Sequence, residues 1–199
     1  GAGNSIDAKM TLDQGITLNS TQSNSSLEIS GLISGSGNMN LTGKGIVVLY
    51  GANTGFKGKV TVYDGSTLTL LNTEALSNAS GVVLEFGGTL ALNAPGAVNL
   101  NALTFVNGST LAISSIVGTD AASSKDAVLN VNDNSLKLDN VVLNLNSSQE
   151  LQSMQTYNIM TGVSSIDNLS FNVTHNNDVK LDVSQYKIVL DGNLLYIHT

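Results

Sequence analysis

The sequence predicts an all-β chain, a three-sided parallel β-helix with rungs of about 20–22 residues and a β-rich C-terminal cap. The first observation is a series of spaced apolar pairs: Leu27/Ile29, Val47/Leu49, Leu68/Leu70, Leu90/Leu92, Leu111/Ile113 and Leu136/Leu138. The second is a companion series: Met39/Leu41, Val60/Val62, Val82/Leu84, Leu103/Phe105 and Leu129/Val131. The second series leads the next pair of the first by 8 residues in four repeats and by 7 in the last. Both lengthen together at the end, which places an insertion near 115–126. The third observation is composition: Gly is 20 of 199 residues, Pro is 1, and Asn and Ser recur between the pairs. Repeats this short cannot each close a core, so they must stack.

Each element follows from that pattern. Apolar-x-apolar with polar or small neighbours, as in Ser66–Leu70 and Gly88–Leu92, marks a strand with one buried face. Gly65, Gly87 and Gly108 stand two residues before such strands, where the chain must bend. Two strands per rung leave a third side at 51–58, 72–81 and 93–101, with Phe56, Leu76 and Val98 as its less regular apolar residues. Few segments show the 3.6-residue helical period; a β-sandwich is the alternative, less favoured because the interval between the series is constant. The rungs are assigned to 1–146. Residues 147–199 are assigned to a cap continuous with them, because an open solenoid end exposes unpaired strand edges. Within the cap, Ser147–Glu150 reads as a capping box opening a short helical turn over Leu151 and Met154. Strands are expected at 157–160, 169–173, 179–183, 186–190 and 194–197, with a hairpin turn at Asp191–Asn193.

Residues 31–70 carry Gly31-Leu-Ile-Ser-Gly-Ser-Gly37, Leu41-Thr-Gly-Lys-Gly45, Val47-Val-Leu-Tyr-Gly-Ala-Asn53, Gly58-Lys-Val-Thr-Val62 and Gly65-Ser-Thr-Leu-Thr-Leu70. This run resembles the passenger-associated transport repeat of bacterial autotransporters, with weaker copies to about residue 138. The resemblance implies a right-handed β-helix on a secreted or cell-surface protein, often beside an outer-membrane β-barrel. It implies no catalytic residue and no cofactor. Because the pattern is under way from the first residues, the chain is expected to be part of a longer polypeptide whose flanking domains are its neighbours.

Charge and residue types exclude several functions. A net charge of −7 with no Arg argues against nucleic acid and against an anionic membrane surface. No apolar stretch is long enough for a membrane span, so direct insertion is not expected. With no Cys there is no thiol nucleophile and no Cys-ligated metal. Lyases and hydrolases also use β-helices, but most acids are scattered at turns, and Glu28 and Glu85, read as the acids inside strands, lie in different series, so an enzyme is not expected. His175 and His198 read as solvated surface residues. Asp126, Asp133 and Asp139 with Asn130, Asn132 and Asn134 are weighed as a hard-cation site and read as turn residues, without a metal. Ser/Thr at 67, 89, 110 and 135 align before the inward pairs and read as ordinary strand composition.

One anomaly supplies the candidate binding residues. With Val47 and Leu49 inward, Ile46, Val48 and Tyr50 point outward, where the repeat pattern is usually polar. Phe56 and Tyr63 fall on the same or the next side, with Lys44, Lys57 and Lys59 bordering. Ile46, Val48, Tyr50, Phe56 and Tyr63 are therefore expected to form a contact patch, covered either by another part of the chain or by a partner. The expected role is a stalk or adhesin passenger contacting a host surface, a glycan or another copy of itself. The alternative is a carbohydrate-recognition or spacer module on a secreted enzyme.

Overall fold

The structure, a computed structural model, describes residues 4–23, 25–149, 151–176 and 179–199. The chain coils through three faces, here A, B and C, and like strands stack in parallel from rung to rung. Rung one is β1 (Asn4–Ile6), β2 (Met10–Leu12) and β3 (Ile16–Ser20), one strand per face. Rung two is β4 (Ser26–Ile29), β5 (Ile33–Gly35) and β6 (Met39–Gly43). Rung three is β7 (Ile46–Leu49), β8 (Gly55–Phe56) and β9 (Lys59–Val62). Rung four has β10 (Thr67–Leu70) on A and β11 (Gly81–Leu84) on C, with turns on B between them. Rung five is β12 (Thr89–Leu92), β13 (Val98–Leu100) and β14 (Leu103–Phe105).

Rung six is longer. It contains β15 (Thr110–Ile113), then an insertion with β16 (Gly118–Thr119) and a 3-10 turn at Ser124–Asp126, then β17 (Leu129–Val131) and β18 (Leu136–Asp139). Rung seven is β19 (Val142–Ser147), β20 (Thr156–Thr161) and β21 (Val163–Asp167), and β22 (Ser170–His175) adds one more strand to face A. The coil then stops. β23 (Val179–Lys180) pairs antiparallel with β22, and a second 3-10 turn at Val183–Gln185 follows. The hairpin β24 (Lys187–Asp191) and β25 (Leu194–His198) pairs antiparallel with β20.

The inward pairs build the core. Leu68, Leu90 and Leu111 are in register and 0% exposed, and the inward residues Val60, Val82 and Leu103 of face C are buried as well. Phe56, Leu76 and Val98 are also buried, so the third side contributes to the same core despite its irregular spacing. One column of turn residues sets the corner between faces C and A. Gly65, Gly87, Gly108, Asn140 and Asn168 all take positive φ, at 76°, 71°, 83°, 50° and 47°. Glycine meets this need without strain, and Asn is the side chain that tolerates it best.

Three expectations are corrected. Leu136/Leu138 does not continue face A. Leu111 pairs with Leu143, 32 residues on, while Leu136/Leu138 lies beside β14 on face C and Leu129/Val131 pairs with Val98/Leu100 on face B. Apolar-x-apolar is the same signal on all three faces, so after the insertion the pattern can be read one face out of step. The parallel coil also runs past 146, because β20, β21 and β22 stack on the rung before. Capping by antiparallel strands is confined to 179–198, and the boundary at 147 falls inside β19. Finally, no helical turn forms over Leu151 and Met154. Gln149 N–H donates to Ser147 Oγ at 3.2 Å, and Met154 sits at φ 64°, outside a helix. Glu150, the other half of the expected capping box, lies outside the described residues.

Candidate functional site

Alternation along β7 follows from the burial of Val47 and Leu49, which leaves Ile46 and Val48 on the outer surface of face A, half-buried by their neighbours. Register extends them into two columns. Ser26, Ile46, Thr67, Thr89, Thr110, Val142 and Ser170 form one; Ser5, Glu28, Val48, Thr69, Ala91, Ala112, Asn144 and Asn172 form the other. From rung three to rung six every outward residue is uncharged and small or β-branched. Parallel strands about 4.8 Å apart turn these columns into a level, closely spaced array. Ser135 is not part of it: it precedes β18 on face C, and Val142 holds the corresponding place.

The five predicted residues separate. Tyr50 follows β7 at the corner between faces A and B and is 43% exposed. Tyr63 follows β9 at the corner between C and A and is 40% exposed, so the two tyrosines stand at opposite borders of face A. Phe56 is not in the patch. It closes β8, is fully buried, and packs in the core of face B, so it is a structural residue. Lys44 lies at the C-to-A corner, whereas Lys57 follows β8 and Lys59 opens β9, away from face A. Periodicity missed Phe86. It is 65% exposed at the C-to-A corner, and its ring sits where a Cβ on Gly108 would go. The signal was available, since Phe86 stands directly before Gly87 in the turn column.

The polar candidates are spread along the coil. Asp133 accepts the Ser135 N–H at 3.1 Å in an Asx turn, and Asp139 accepts from Asn140 Nδ2 at 2.8 Å. Asn130 and Asn132 bond to Asn99 and Asn101 of the rung before, at 3.3 and 3.1 Å. Among the described residues there is no group of three or more His, Asp or Glu side chains placed to hold a metal ion. Stacking does set Asp139 beside Asp167 on face C. His175 is half-buried at the end of β22 rather than solvated, with Nε2 2.9 Å from Asn176 Nδ2. His198 is exposed, with Nδ1 3.3 Å from Thr156 Oγ1. In the cap, hydrogen bonds from the Ser184 hydroxyl and N–H hold the Asp182 carboxyl below the usual carboxylate range. Burial raises the Tyr186 phenol above its ordinary value. No described helix is long and apolar enough to cross a membrane.

Comparison of the chain with protein-family profiles, with curated proteins and with solved structures finds no match.

Proposed function

We propose that this chain is a non-catalytic β-solenoid segment of a bacterial secreted or surface protein, serving as a stalk and adhesin passenger whose contacts spread along its faces. The repeat resemblance at 31–70 supports the surface location. The observation that carries the adhesive role is face A itself: eight outward residues from Ile46 to Ala112 without a charge, bordered by Tyr50 and Tyr63. A level uncharged face of this kind loses little water structure and buries apolar area when it meets a partner. The partner classes are a host surface, a glycan or a second copy of the chain.

The second reading, a carbohydrate-recognition or spacer module on a secreted enzyme, has less support. A sugar-stacking platform would draw on Tyr50, Phe56 and Tyr63, but Phe56 is in the core, and Tyr50 and Tyr63 stand at different corners.

The test is the double variant Val48→Ser with Tyr50→Thr, assayed for adhesion to cells and for self-association. Folding is expected to be retained and binding reduced. Undiminished binding by a folded double variant removes face A from the interaction.

A further inference from the structure

Regular rungs repeat one surface, and a break in the repeat changes its shape. The chain breaks it twice near each other, at the rung-six insertion and at the turn between β24 and β25. Between them lies a shallow, open cleft of about 540 Å³ on face B. Its floor is part of an amide ladder. Asn130 Nδ2 donates to Asn99 Oδ1 at 3.3 Å, and Asn130 Oδ1 accepts from Thr161 Oγ1 at 3.0 Å. The Asn130 amide is thus held in one orientation with its second N–H unused in these bonds. Ser124 and Asn134 form one rim, and Asp191 and Asn193 form the other. These four side chains are exposed and make no hydrogen bond among the described residues.

The insertion wall is anchored rather than loose. Asn158 is buried; its Oδ1 accepts the Ser123 N–H at 3.0 Å and its Nδ2 donates to Thr119 Oγ1 at 3.0 Å. The opposite wall is a two-residue hairpin turn with Gly192 at φ 57°.

The lining selects its ligand by chemistry. Among the described residues no cationic side chain lines the cleft and one carboxylate does, which disfavours phosphates and carboxylates. Leu194 is its one apolar lining residue among those described, too little for a lipid or an aromatic ring. A single carboxylate is a poor match for a divalent cation that takes six to eight oxygens. Amides, hydroxyls and one carboxylate together present donors and acceptors in pairs, the complement of adjacent hydroxyls on an uncharged sugar. We infer that this cleft binds a neutral saccharide through Asn130, Asn134, Asp191 and Asn193. The inference rests on the adhesive reading and gives it a second, polar contact site separate from face A. Without an aromatic face to stack on, affinity is expected to be weak, about 1 mM for a single site.

The test is an amide NMR titration of the full chain with maltotriose, lactose and chitotriose, three neutral probes of different hydroxyl geometry. At least one is expected to shift the side-chain amides of Asn130, Asn134 and Asn193 together. Asn134→Ala with Asn193→Ala is expected to weaken that sugar by about tenfold, the loss of one or two hydrogen bonds. Asn158→Leu, which frees the insertion, is expected to weaken it without touching the sugar. The variant Val48→Ser with Tyr50→Thr is expected to bind the sugar unchanged, so failure of face A and failure of the cleft are read separately. Absence of shifts with all three sugars overturns the inference. So does a sugar shift insensitive to the Asn134 and Asn193 changes, or a response at these amides to calcium chloride alone.

Discussion

Gly108 and Asn140 occupy the same turn position in successive rungs, and the Gly108 N–H donates to the Asn140 carbonyl at 2.9 Å. Both backbones are left-handed there, at φ 83° and 50°. The position, not the residue type, is what repeats, and Asn168 takes it again one rung later. Replacing Asn140 by Gly is expected to be neutral within about 0.5 kcal/mol. Replacing it by Val is expected to cost about 1–2 kcal/mol or more, since a β-branched side chain resists positive φ. Urea denaturation of the two variants is the check, and equal stabilities would remove the turn column as a determinant of the rung.

Leu90 stacks between Leu68 and Leu111 with no exposure. Leu90→Ala is expected to lose about 2–5 kcal/mol, because the ladders above and below cannot collapse into the gap. Thr67, in the outward column of the same face, is expected to tolerate Ala within about 0.5 kcal/mol. Matching losses at the two positions would contradict the inward and outward assignment.

The hairpin of β24 and β25 covers the edge of β20, and β23 covers β22. Ending the chain after Asn176 is expected to bare both edges and drive association through them, seen as early elution in size-exclusion chromatography. A monomeric truncated chain of unchanged stability would make the cap dispensable.

Much of this fold was legible in the sequence because inward side chains in a solenoid must repeat at the rung interval, as Leu27, Val47, Leu68, Leu90 and Leu111 do. The frame was lost at Leu136 because an apolar pair names a strand but not its face. The turn column would have kept it, had Asn140 and Asn168 been read as successors of Gly108 two residues before Val142 and Ser170. Burial of Phe56 was not legible, since a two-residue strand shows no alternation. The cleft was also hidden, because Asn130 and Asn193 are 63 residues apart and meet only through the coil and its antiparallel return.

The cleft, which brings Asn130 of rung six beside Thr161 of rung seven, and the continuation of face A beyond Ala112 depend on the pairing of rung six with rung seven. The chain has no Cys, so spin labels can be placed there without background. Ala112 is the in-register neighbour of Asn144 on face A, whereas continuing the first apolar series through Leu136/Leu138 would make it the neighbour of Lys137. Labels on Ala112→Cys with Asn144→Cys are expected to show the strong dipolar broadening of residues about 4.8 Å apart on adjacent strands. Labels on Ala112→Cys with Lys137→Cys are expected to show little, since β18 runs on face C. Strong broadening for the Lys137 pair and weak broadening for the Asn144 pair would contradict the account.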